Sequence, residues 1–135
     1  MDLNIYQFDP SCALEAILDY GPKKILCCTP QRPAPYLHLE TLAQSCGLHL
    51  RYIHNFQVQA FLVSIANLTY PLDQAQECWT ITATLCAHTS TAALYTVSFL
   101  HDCTCTITMG YQDRETVDTY FQDRFLWLST RFSTS

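Results

Sequence analysis

The side chains in this chain best suited to chemistry are thiols and imidazoles. Eight cysteines and five histidines occur in 135 residues, and three of them recur at every second position in His101-x-Cys103-x-Cys105. Imidazole nitrogen and thiolate sulfur are the usual ligands of zinc, so this tripod is a candidate metal site. On an extended strand, however, side chains two apart point in parallel about 7 Å from one another, whereas a structural zinc ion is wrapped by closely spaced cysteine knuckles. Cys46-x-x-His49 and Cys86-x-His88 have no second knuckle at a recognised distance. The favoured reading makes Cys103 and Cys105 small hydrophobes beside Val97, Phe99, Ile107 and Met109, with no metal and no other cofactor.

Cys12 is the second candidate. Asp9-Pro10 reads as an N-cap and first helical residue, which places Cys12 near the start of a helix over Ser11–Tyr20. There the dipole and the free amides favour a thiolate. Ser11-Cys12-Ala13-Leu14-Glu15-Ala16-Ile17-Leu18 is similar to the entrance of the nucleophile helix in papain-like cysteine peptidases, small viral leader peptidases among them. The resemblance implies Cys12 as nucleophile, His101 (or His88) as base, and Asp113 (or Asp102 or Asp118) as its orienter. It departs from the family in having no tryptophan or glycine beside Cys12 and no clear oxyanion-hole glutamine or asparagine before it.

The third candidate is Thr41-Leu42-Ala43-Gln44-Ser45-Cys46-Gly47-Leu48-His49-Leu50, which resembles the BC-box of elongin C-binding substrate receptors. The resemblance implies Leu42, Cys46 and Leu50 as partner-binding residues on one helix face, docking an elongin B/C-type ubiquitin-ligase adaptor by helix-in-groove logic. Gly47 is the departure: a glycine inside a helix costs about 1 kcal/mol, and here it reads as a terminator. No downstream Leu-Pro cullin-box pattern accompanies the motif.

The elements that would carry these residues follow from periodicity. Leu3, Ile5 and Gln7 suggest a first strand, the Ser11–Tyr20 helix closes at Gly21-Pro22, and residues 23–28 enter a second strand. A short helix over Tyr36–Cys46 stops at Gly47, and the period-two run Leu48, Leu50, Tyr52 predicts a strand turned at His54-Asn55 into a second one, Phe56–Ala60. Trp79, Ile81, Ala83 and Leu85 alternate with threonines, as do Ala93, Tyr95, Val97 and Phe99 with their neighbours, and Cys103–Met109 repeats the pattern. These three strands predict an antiparallel meander, followed by a helix capped at Asp113 with Val117, Tyr120, Phe121, Phe125 and Leu128 on one face. The fold class is therefore α+β, a mainly antiparallel sheet covered on one face by two or three short helices, built as a single globular domain over 1–135.

Composition narrows function by exclusion. Net charge is −5, with seven basic residues scattered along the chain, so there is no electrostatic footprint for nucleic acid. Three glycines, none close to another, exclude nucleotide-binding loops. No apolar run is long and unbroken enough to span a membrane. Met1-Asp2-Leu3-Asn4-Ile5 has no secretory character, so reduced thiols and a cytoplasmic location, with nuclear entry open by size, are expected. These exclusions favour a non-enzymatic protein-interaction module of the viral accessory or host-modulating kind, with an exposed sheet edge available for a homodimer. The rivals are a small cysteine peptidase (Cys12, His101, Asp113) and a zinc-stabilised binding protein (His101, Cys103, Cys105).

Overall fold

The computed structural model describes residues 13–30, 37–69, 78–100 and 102–131. In chain order its elements are β1 (Ala16–Tyr20), β2 (Lys24–Cys28), α1 (His38–Ile53), β3 (Val58–Ala66), β4 (Thr80–His88), β5 (Ala92–Phe99), β6 (Cys103–Asp113) and α2 (Thr119–Thr130). The six strands form one antiparallel sheet in the order β1-β2-β4-β5-β6-β3, so β3, which follows α1, crosses over to the far edge.

The threonine-alternating strands take the places their pattern dictates. Rows such as Ala83–Val97–Cys105 and Ile81–Phe99–Cys103 face inward, whereas Thr84–Thr96–Thr106 and Thr82–Ser98–Thr104 face outward. Thr82, Thr84, Thr96 and their neighbours form a half-wet outer surface of the kind an antiparallel sheet tolerates. Against the inner rows lies α1, which touches β2, β3, β4, β5 and β6, while α2 packs beside it against β1.

Three expected elements differ. The helix expected over Ser11–Tyr20 is replaced, where described, by a hairpin: Ala16–Tyr20 is a strand, and the Gly21 amide donates to the Lys24 carbonyl at 2.9 Å. Ile17 opposite Cys27 buries a β-branched side chain in the sheet, which an isolated short helix could not match. The helix expected to end at Gly47 runs on to Ile53, absorbing the strand expected from Leu48. Burying Leu50 and Leu48 contributes about 1.5–3 kcal/mol each, which outweighs the ~1 kcal/mol cost of a helical glycine. The last helix is capped by Asp118, whose carboxylate accepts from the Phe121 amide at 3.3 Å, because Asp113 is still paired with Val58 at the end of β6. Of the face expected on it, Phe125 and Leu128 are buried while Val117 and Tyr120 stay exposed.

Phe125 closes the corner between the helices, its ring centre 5.0 Å from that of Tyr20, 5.2 Å from Tyr52 and 5.5 Å from Phe56. Phe56 has a positive φ, a left-handed conformation rare for an aromatic residue. Its carbonyl accepts from the Asp118 amide at 2.7 Å, which helps hold the sharp turn from α1 into β3. Among the described residues no helix is long and apolar enough to cross a membrane. The expected strand over Leu3–Gln7, Cys12 and His101 lie outside the described residues.

Candidate functional site

The exposed flank of α1 and the edge strand β3 do not close on each other. Between them runs a groove of about 330 Å³, walled by Leu39, Ala43 and Leu48 of α1, Ala60, Phe61 and Leu62 of β3, and Met109 and Phe121. Its polar groups lie in one stripe of the helix: Glu40, Gln44 and Arg51. Spacings of four and seven residues place them on one face. Glu40 is the only acidic residue among the described residues that line it. The Gln44 Nε2 donates to Glu40 Oε2 at 3.1 Å, which fixes that carboxylate at the groove's mouth.

Arg51 lies at the other end. Its Nη2 donates to the Ala60 carbonyl at 3.1 Å, and its guanidinium carbon sits 3.7 Å from the centre of the Phe121 ring. Burial pulls the Arg51 pKa below its ordinary value, opposed by the Asp118 carboxylate and assisted by the Arg114 charge. Gly47 makes the seat for this group, since a Cβ there would stand 2.9 Å from Arg51 Nη1.

Behind the groove, on the inner side of α1, His49 is fully buried. One ring nitrogen, Nε2, is 2.9 Å from the Gly21 carbonyl and the other, Nδ1, 2.8 Å from the Tyr95 hydroxyl. A carbonyl only accepts, so Nε2 carries the hydrogen and Nδ1 accepts from Tyr95. Burial lowers the His49 pKa, partly offset by the Gly21 carbonyl, which favours the neutral ring. This histidine ties β1's turn, α1 and β5 together and does not face the groove.

The residues singled out by sequence fall elsewhere. Leu42, Cys46 and Leu50, expected to dock a partner, are 1%, 0% and 0% exposed and belong to the chain's own core. Cys103 and Cys105 are also buried on the inner sheet face, and burial pushes the Cys105 thiol up to about 11. Among the described residues no group of three or more histidine, cysteine or acidic side chains is placed to hold a metal ion. Asp113 and His88 both act on His54, whose pKa is lowered first by burial, then by His88, with Asp113 opposing. Sequence reasoning misses Glu40, Gln44 and Arg51 as a group. Their helical spacing is visible, but the same spacing describes any solvated helix face.

No family model matches the sequence, and no curated protein matches it. Solved structures do. A thioesterase from Haemophilus influenzae is similar with a TM-score of 0.64 and 11% identity over 84% of this chain and 90% of that one. A hypothetical thioesterase protein from Streptococcus pneumoniae, solved with coenzyme A, scores 0.63 at 14% identity over 84% and 99% of the two chains. The dehydratase heterocomplex ApeI:P from Xenorhabdus doucetiae scores 0.61 at 12% identity, over 85% and 91%. The fold is the hotdog fold. In it α1 packs against five of the six strands. This likeness overturns the BC-box and papain-like resemblances. The Leu42–Cys46–Leu50 face is occupied by the sheet, and Ala16–Tyr20, expected in the nucleophile helix, is a strand. The adaptor role and the elongin B/C partner go with them.

Proposed function

We propose that this chain is a hotdog-type hydrolase of acyl thioesters whose general base is Glu40. The observation that carries the reading is the Glu40–Gln44 pair, a carboxylate steadied by an amide at the mouth of a mainly apolar groove. Similarity in fold to proteins described as thioesterases, one of them solved with coenzyme A, supports the substrate class.

The chemistry follows from the parts. An acyl chain suits the walls made by Leu39, Leu48, Leu62 and Met109. Glu40 takes a proton from a water, and the resulting hydroxide adds to the thioester carbonyl. Collapse breaks the C–S bond, and the thiolate leaves with the proton returned from Glu40, giving a carboxylic acid and a free thiol.

The groove's outer wall is the edge strand β3, nine residues without a charge, on which Phe61, Leu62 and Val63 are 44%, 44% and 57% exposed. A long uncharged edge is a template for pairing. Two copies joined through β3 would bury these side chains and bring a second sheet edge beside the groove.

The test is turnover of a medium-chain acyl-coenzyme A, followed by chromatography of the released thiol because the protein's own cysteines would consume a colorimetric thiol reagent. Glu40→Gln should lower kcat by about 10²–10⁴-fold, the usual share of a general base. Equal rates for the two proteins, or no wild-type turnover above buffer, would sink the reading.

A further inference from the structure

Arg51 is a half-buried cation with no carboxylate against it among the described residues. Its guanidinium presents five N–H groups, and among the described residues it has one hydrogen-bond acceptor, the Ala60 carbonyl. The Nε atom is buried with no partner. No described carboxylate lies within 4.0 Å of it, and Asp118, whose field reaches Arg51, is itself bound by Arg114 at 3.0 Å. Withdrawing much of a guanidinium from water and leaving most of its donors unmet is costly. Arginines in such settings are ordinarily matched by a carboxylate or phosphate that uses the planar fork.

The geometry around the group is specific. Phe121 fixes the plane of the guanidinium by lying against its face, and Ala60 fixes its rotation. The absent side chain at Gly47 leaves Nη1 close against the helix, and both residues line the groove. With Nε buried, the remaining N–H groups on Nη1 and Nη2 are the ones that can donate to the oxygens of a planar anion in the groove. The neighbouring walls, Leu48, Met109 and Phe121, are apolar. One guanidinium in such walls balances one negative charge, so a carboxylate suits it and a phosphate dianion would leave a charge uncompensated.

We infer that Arg51 is the receptor for a carboxylate carried by the ligand of this groove, so that the preferred occupant is an aliphatic chain ending in an acid group. Glu40 and Arg51 are eleven residues apart on α1, about three turns of the helix. An acid group held at Arg51 therefore sits at the opposite end of the groove from the base. The inference rests on the groove being the ligand site of the proposed hydrolase, and it does not depend on which bond is broken there.

The experiment is calorimetric titration of the whole wild-type chain at neutral pH with three eight-carbon probes: octanoate, its neutral isostere octanamide, and octyl phosphate. Octanoate should bind about ten-fold more tightly than octanamide or better, the scale of a charge-assisted pair of hydrogen bonds. That preference should fall to about one in Arg51→Gln and recover in part in Arg51→Lys. Gly47→Ala, which keeps the charge but crowds Nη1, should also lower it. Equal binding of octanoate and octanamide by the wild type, no binding of either, tighter binding of octyl phosphate, or an unchanged preference in a folded Arg51→Gln each overturns the inference. The wild-type comparison decides alone if that variant does not fold. Preferential octanoate binding without thioester turnover would support Arg51's role and remove the hydrolase reading instead.

Discussion

Replacing His49 by glutamine should leave the fold in place and remove part of its sensitivity to acid. The ring of His49 is neutral because it is enclosed, with Nε2 donating to Gly21 and Nδ1 accepting from Tyr95. Its folded pKa lies below the ordinary value of 6.5, so the unfolded chain binds the proton more tightly than the folded one. Stability from this group is complete above the unfolded value and is lost as pH falls through about 6.5 towards the folded value, at about 1.4 kcal/mol per pH unit. Between pH 7.5 and pH 5.5 the loss from this one group has an upper bound of about 1.4 kcal/mol. Carboxylates titrate mostly below this window, and His54, also lowered, is common to both proteins. A glutamine offers an amide donor for Gly21 and a carbonyl acceptor for Tyr95 at similar separation, without titrating. It loses the edge-on contact of the imidazole with the Tyr95 ring, whose centres are 5.5 Å apart. Such a contact contributes about 0.5–1.5 kcal/mol. Urea unfolding at fixed protein concentration, followed by the fluorescence of buried Trp79, should show His49→Gln somewhat less stable at pH 7.5 but with a shallower fall to pH 5.5. An identical fall in both proteins would refute the neutral, enclosed assignment.

Two further outcomes check the rest of the architecture. With iodoacetamide at pH 8, the exposed Cys78 and Cys86 should alkylate first, while Cys27, pushed up to about 12 by burial, and Cys46, pushed well above its ordinary value by burial, should react only after denaturation; peptide mass spectrometry showing native-rate labelling of Cys46 would contradict the packing of α1. Val63→Lys, which puts a charge on the uncharged β3 edge, should convert a dimer to a monomer by light scattering, whereas Thr84→Lys on the outer sheet face should not; a monomeric wild type, or equal masses for all three, would remove the β3 pairing.

The meander was legible because its two faces differ. Threonine opposite threonine on the wet side, and Ile81, Val97, Ile107 and their row-mates on the dry side, write the period of two directly into β4, β5 and β6. The central helix was not legible for the converse reason. Between Thr41 and Leu50 every residue except Gln44 is buried. A helix packed against five strands on one side and flanked by α2 on another loses the one-sided stripe by which helices are recognised. The period-two run Leu48, Leu50, Tyr52 is therefore an accident of near-complete burial. The β1 hairpin failed differently. Its five residues include an irregular register near Leu18, and so short an apolar run cannot be told from a helical turn by periodicity.

Gly47 joins the fold to the candidate site. By propensity it reads as the end of a helix, which directs attention to the wrong side of α1, to Leu42, Cys46 and Leu50. In the structure the helix continues through it because Leu48, His49 and Leu50 beyond it are anchored in the core. An alanine there would favour the helix by about 1 kcal/mol, and its Cβ would stand 2.9 Å from Arg51 Nη1, the far end of a flexible side chain that would have to shift. On the proposed reading, Gly47 weakens its helix and leaves room for the Arg51 guanidinium beside the groove. That trade is invisible in a linear reading, because it requires knowing that positions 47 and 51 share a face and that Phe121, seventy residues later in the chain, pins the side chain between them.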